Sequence, residues 1–277
     1  MNFRPPRKSL GQHFLRDQRV VDRIVAAAGV DSETLVLEIG PGRGAMTQKL
    51  VTVAGGVVAV ELDQELADYL RITFSNTRFV IHHADILSCN LPEVLTSACT
   101  ELTFSPTVTR VVANLPYNLS SPILERLVAH RDLFADMTVM LQREVVERIS
   151  SRPGNKTYGY FSVILQAYCE IKHLFDVPPG AFSPPPKVWS SIVKLTPRPV
   201  PLIAPQHEDW FFRTASAAFS QRRKTLSNAL AALIPGDRSQ LDNCLRQAGI
   251  DPQQRAETLS VQDFARLAAC LNDKVTE

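Results

Sequence analysis

The sequence predicts an α/β fold: a doubly wound, mostly parallel sheet that ends in an antiparallel hairpin, followed by a small all-α domain. Three observations carry this. From residue 34 to 142, short β-branched runs alternate with amphipathic stretches, the pattern of parallel strands joined by right-handed crossovers. Two further β-type runs come late and close together, at 171–179 and 190–198, as a closing hairpin on the same sheet would. The proline-rich "PRPVPLIAPQ" (197–206) then acts as a stiff linker, and beyond it the β-branched runs stop.

Taken in order, "TLVLEIG" (34–40) is a buried strand and "GAMTQKLVTV" (44–53) the helix after it. "GVVAVELD" (56–63) is a second strand, with "QELADYLRITF" as its helix. "RFVIHHAD" (78–85), "RVVANLP" (110–116) and "MTVMLQ" (137–142) supply the third, fourth and fifth strands. After the linker, "EDWFFRTASAAFSQ", "RKTLSNALAAL", "RSQLDNCLRQAG" and "VQDFARLAACLND" have helical apolar spacing. The expected organisation is a sheet domain over 1–200, opened by a basic segment at 1–25, and a helical domain over 201–277.

Composition bounds the function. A chain of 277 residues that is 45% apolar and 21% charged is an ordinary globule able to bury a sizeable core. A net charge of +2 does not by itself imply a polyanion partner, but its distribution is uneven. Arg4, Arg7, Lys8, Arg16, Arg19 and Arg23 crowd the first 25 residues against Asp17 and Asp22, and Arg222, Arg223 and Lys224 form a second cluster. Such runs are either solvated faces or nucleic-acid contacts. The five cysteines are odd in number and form no C-x-x-C pair, which points to free thiols in a reducing compartment. The adjacent His82 and His83 would point to opposite strand faces, so no metal site is expected. No apolar run is long enough for a membrane helix, and the basic N-terminus lacks the apolar region of a secretory signal.

In "LEIGPGRG", Gly40, Gly42 and Gly44 follow a strand and open a helix, where backbone must turn sharply and approach a ligand. Glu61 ends the next strand, 21 residues after Gly40, where a carboxylate can accept hydrogen bonds from both hydroxyls of a ribose. Asp85 ends the third strand and can meet an adenine amine from the same edge. The glycine spacing is G-x-G-x-G, not the G-x-G-x-x-G of dinucleotide binders, and the preceding Glu38 suits an amino-acid ammonium better than a phosphate. This resembles the cofactor loop of S-adenosylmethionine-dependent methyltransferases, Rossmann-like enzymes of class I.

"NLPYNLS" (114–120) reads locally as a turn, because proline cannot continue a central strand. At the end of the fourth strand it also resembles the motif of methyltransferases that act on exocyclic amines. An adenine amine is a poor nucleophile, since its lone pair is delocalised into the ring. The Asn114 side-chain oxygen and a backbone carbonyl near Leu115 or Pro116 can accept its hydrogens and aim its lone pair at the methyl group. Tyr117 can stack on the base, and Pro116 stiffens the turn. Orientation and electrostatics then carry the catalysis, with no general base at the moment of transfer.

"KSLGQHFLRD", "EIGPGRGAMT", "VELD", "HADIL", "NLPYNLSSPIL", "VPPGAFSPPPKVWSSIV", "RRKTLSNAL" and "RAETLSVQDFARLA" occur in the order found in the rRNA adenine dimethyltransferases, and nearly the whole chain is similar to their bacterial small-subunit branch. The resemblance implies S-adenosylmethionine as methyl donor and no metal. It implies a cofactor pocket of His13, Leu15, Gly40, Gly42, Glu61, Asp85 and Asn114, with His13 standing where many relatives carry Asn. The implied substrate is two adjacent adenosines near the 3′ end of small-subunit (16S) rRNA, dimethylated late in subunit assembly. Phe182 is either ordinary packing or, with Tyr117, one side of a sandwich for an extruded base. Arg222, Arg223 and Lys224 would grip RNA. The entry motif begins at Lys8, which leaves no room for an organellar presequence and favours a bacterial cytoplasm; separately, a monomer is expected. Two rivals stand beside this reading: a large-subunit rRNA methyltransferase of the antibiotic-resistance type, and a non-catalytic RNA-binding assembly factor.

Overall fold

The structure, a computed structural model, describes residues 13–221 and 223–276. The chain divides into two units, one of residues up to Val146 together with Glu170–Pro197, the other of Glu147–Cys169 together with Arg198 onward.

The first unit is built on a seven-stranded sheet. Its strands are β2 (Thr34–Ile39), β3 (Gly56–Glu61), β4 (Phe79–His83), β5 (Val108–Asn114), β6 (Asp136–Gln142), β7 (Cys169–Val177) and β9 (Ser190–Pro197), in the order β4-β3-β2-β5-β6-β9-β7. The five from β4 to β6 are parallel, and β9 runs antiparallel to β6 with Gln142 opposite Ser190. Every residue of β2 and β3 is buried, which is why both read as unbroken apolar runs without alternation. From β2 the chain first builds outward through β3 and β4, then returns to place β5 and β6 on the other side. The strand order therefore reverses between β2 and β5, and the crevice beyond their carboxyl ends is where such sheets take ligands.

The crossover helices start where side chains satisfy the first free N–H groups. Asp17 caps α1 (Gln18–Ala28), Asp63 caps α3 (Gln64–Thr73) and Asn90 caps α4 (Leu91–Glu101). α2 (Thr47–Val53) begins three residues later than its amphipathic pattern suggests, because Gly44 is left-handed (φ +80°) and keeps the chain in the loop. A Cβ on Gly44 would lie 2.8 Å from the Leu70 side chain, so only glycine fits this turn. α5 (Ser120–Ala129) follows the "NLPYNL" turn. A short strand, β1 (Phe14–Leu15), pairs with β8 (Phe182–Ser183), and Arg16 and Asp17 both donate backbone N–H bonds to the Ala181 carbonyl.

The second unit is larger than the helical domain expected from residue 201 onward. It also takes in residues 147–169, with the end of α6 (Arg143–Ile149) and all of α7 (Tyr160–Tyr168). α7, "YFSVILQAY", is buried on nearly every side, so it has no amphipathic stripe to mark it as a helix. It packs against α8 (Glu208–Ser220) and α11 (Val261–Thr276), and the proline-rich segment is tied to it by N–H bonds from Arg198 to Tyr168 and from Leu202 to Ala167. α9 (Leu226–Ala229) and α10 (Arg238–Gln247) complete the unit. All five cysteines are free thiols. Among the described residues, no helix is long and apolar enough to cross a membrane.

Candidate active site at the carboxyl edge of the sheet

A pocket opens at the reversal point, and His13, Leu15, Gly40, Gly42, Glu61, Asp85, Asn114, Leu115, Pro116 and Tyr117 all line it. These residues come from four strand ends and from β1, far apart in the chain, so only the doubly wound topology brings them together.

The glycine loop and Glu61 form one hydrogen-bonded unit. The Gly42 N–H donates to Glu61 Oε2 at 3.2 Å and the Asp63 N–H to Oε1 at 2.9 Å. Burial raises the Glu61 carboxyl above its ordinary value, and the two N–H donors pull it part of the way back. Each oxygen keeps a second acceptor direction for a ligand hydroxyl. Gly42 is left-handed (φ +59°), and a Cβ there would sit 3.0 Å from the Phe14 ring, so the loop lies flat under that ring. The Arg43 guanidinium covers the same ring at 4.6 Å from its centroid. Asp85 is half-buried just past β4, where its Oδ1 accepts the Leu87 N–H at 2.8 Å.

Asn114 is the last residue of β5. Its Nδ2 donates to the His13 carbonyl at 3.2 Å, which assigns the amide orientation, because a carbonyl can face only the NH₂ end. The Leu115 N–H donates to the Met140 carbonyl, and the Pro116 carbonyl accepts the Leu119 N–H at 3.0 Å. The turn thus uses the Pro116 carbonyl internally. The Tyr117 hydroxyl lies 2.6 Å from Ser190 Oγ, and its ring stacks on His13 with centroids 5.5 Å apart and planes at 29°.

Two expectations are corrected. Phe182 is 1% exposed and belongs to the hydrophobic core with Leu15, Val177 and Ile192. It sits in β8, paired with β1, so neither face of the ring is open to a base. Glu38 does not line the pocket: it is fully buried, and its Oε2 accepts the Thr47 hydroxyl at 2.7 Å. Burial first, and then the nearby Glu61 charge, pushes its carboxyl from 4.5 up to about 8.

Glu38 should also shape the pH dependence of stability. A folded-state pKa above the unfolded one favours folding below pH 4.5, and that advantage is lost as pH rises through about 8. Glu38→Gln should therefore be nearly neutral at pH 4.5 and stabilising near pH 8, by on the order of 3 kcal/mol. Urea denaturation at the two pH values checks this, and an equal effect at both would place an ordinary carboxylate here.

The basic cluster lies in the second unit. Arg223 and Lys224 are exposed in the turn before α9, and Arg222 lies outside the described residues, as do Arg4, Arg7 and Lys8. No sequence signal singles out Phe14 and Leu62, which line the pocket, or Ser190, which meets the Tyr117 hydroxyl. Ser190 had no local signal, because its contact with Tyr117 spans 73 positions.

A sequence profile of the ribosomal RNA adenine dimethylases matches residues 4–273. The chain belongs to that family. It is accordingly an rRNA adenine methyltransferase of the kind that takes S-adenosylmethionine as methyl donor. The ribosomal RNA small subunit methyltransferase A of Shouchella clausii is 43% identical over 270 residues, covering 96% of this chain and 89% of the relative. The Hahella chejuensis protein of the same name is 42% identical over 272 residues, 98% of this chain and 94% of its own. Among solved structures, a dimethyladenosine transferase from Plasmodium falciparum superposes with TM-score 0.78 at 25% identity, over 95% of this chain and 98% of its own. A 23S rRNA methyltransferase (TM-score 0.67, 24% identity, over 93% of this chain and 99% of its own) shares the fold of this dimethylase family.

Proposed function

We propose that this chain dimethylates the exocyclic amines of two adjacent adenosines near the 3′ end of small-subunit rRNA, within a late pre-ribosomal subunit. The observation that carries the reading is the Asn114 amide held with its NH₂ end on the His13 carbonyl, which would leave its oxygen to accept from an incoming amine. The small-subunit choice rests on relatives above 40% identity that span most of the chain. The 23S enzyme supports the fold alone.

The residues present fit S-adenosylmethionine: Glu61 for the ribose hydroxyls, Asp85 for the adenine amine, and a glycine loop that lets backbone approach closely. When bound, that cofactor supplies an electrophilic methyl group. The chain's own part is to hold the acceptor amine. Asn114 Oδ1 and the Leu115 carbonyl would take its two hydrogens, drawing the nitrogen toward tetrahedral geometry. Tyr117, fixed through Ser190, would support the base by its ring face. Preorganised acceptors in a partly dry pocket favour the transition state without proton transfer in the same step.

Labelled methyl transfer onto undermethylated small and large subunits, followed by nucleoside analysis, tests the proposal. The expected product is N6,N6-dimethyladenosine on small subunits only. Product on large subunits would favour the antibiotic-resistance class, and none on either would favour a binding factor.

Arg222, Arg223 and Lys224 are proposed to contact RNA phosphates. Changing all three to Glu should weaken RNA binding and make the slope of log affinity against log salt shallower by about two, with cofactor affinity unchanged. An unmoved slope would leave the cluster a solvated face.

A further inference from the structure

We propose that His13 is a positioning residue for the target base, holding both Asn114 and Tyr117 in the geometry that amine transfer needs. This deepens the function proposed above and rests on it. Three separate contacts converge on the one residue. Its carbonyl accepts the Asn114 Nδ2 at 3.2 Å and so fixes which end of that amide faces the substrate. Its ring stacks on one face of Tyr117 with centroids 5.5 Å apart and planes inclined by 29°. Its Nδ1 meets the Pro184 carbonyl at 2.9 Å, and since a carbonyl can only accept, Nδ1 carries the proton and the ring is held in one orientation.

With the Tyr117 hydroxyl held by Ser190 and one ring face held by His13, an adenine would have to stack on the opposite face. Phe182 cannot provide a second platform from inside the core. Tyr117 is then the aromatic platform for the base, and the precision of that stack depends on how firmly His13 backs Tyr117. A tyrosine without that backing could swing about χ1 and carry the base away from the Asn114 oxygen.

Two substitutions separate the ring's two roles. His13→Phe keeps an aromatic ring against Tyr117 but removes the donor to Pro184. His13→Asn keeps an amide nitrogen near the place of Nδ1 and removes the ring. At saturating S-adenosylmethionine, single-turnover transfer to small subunits should fall about tenfold for His13→Asn, the range expected for an aromatic pair, and by clearly less for His13→Phe, which loses only the Pro184 bond. Calorimetric cofactor affinity should not account for the difference. A second readout needs no activity: with labelled tyrosine, the Tyr117 ring protons should feel the ring current of residue 13 in wild type and His13→Phe but lose it in His13→Asn. Wild-type rates for His13→Asn at saturation, or a loss confined to cofactor affinity, would overturn the proposal. If the wild-type protein transfers no methyl to either subunit, the function is wrong. The ring-current comparison then judges the His13 contact by itself: a Tyr117 signal unmoved by His13→Asn overturns it, and the expected shift upholds it.

Discussion

Asn114→Ala is expected to slow single-turnover methyl transfer by about 10²–10³-fold at saturating S-adenosylmethionine, with the fold and RNA affinity nearly intact. Loss of one preorganised polar contact to the reacting group has this size in comparable sites. The substitution also removes the amide that bridges β5 to the His13 carbonyl, so some cofactor affinity should go with it, and saturation is needed to isolate the chemical step. Tyr117→Phe should be far milder than Tyr117→Ala, because stacking uses the ring while the hydroxyl only reaches Ser190. A rate for Asn114→Ala equal to wild type would reduce "NLPY" to a plain turn.

Glu61→Ala should weaken S-adenosylmethionine binding about ten- to a hundredfold, the size of a lost charge-assisted acceptor. The same carboxylate holds the Gly42 and Asp63 N–H groups, so its removal also loosens the glycine loop. Glu61→Gln should recover only part of the loss, since its NH₂ end must face one of those two donors. Because burial raises this carboxyl above 4.5, wild-type affinity should begin to fall at a higher pH on acidification than an exposed glutamate would allow. Calorimetry on the folded variants measures both effects, and an unchanged affinity for Glu61→Ala would remove Glu61 from the cofactor site.

The sheet was legible because burial on both faces leaves a plain mark. β2 and β3 are uninterrupted apolar runs, and each ends in chemistry, Gly40 after one and Glu61 in the other. The pocket was legible for the same reason: its residues sit where strands stop, and the fold brings strand ends together. The failures have physical causes as well. α7 is buried on nearly all sides, so its apolar text carries no helical period. Phe182 was ambiguous because a base-stacking platform and a core plug are made from the same residue. Only the pairing of Leu15 with Phe182, 167 positions apart, decides between them. Glu38 looked like a ligand because it adjoins the glycine loop, yet neighbouring strand residues face opposite ways and its carboxyl turns inward to Thr47. His13 lines the pocket as its motif implies, while its contacts with Tyr117 and Pro184 connect segments no local pattern links.

The central claim is that this chain aligns adenine amines for double methylation through Asn114. Primer extension across the 3′ region of small-subunit rRNA tests it most directly after reaction with wild-type protein or Asn114→Ala. An adenine carrying two N6 methyl groups has no amine hydrogen left to pair, so reverse transcriptase stops there. Stops are expected at two adjacent adenosines with wild type and almost none, in the same time, with Asn114→Ala. No stops with wild type, or equal stops with the variant, would contradict it.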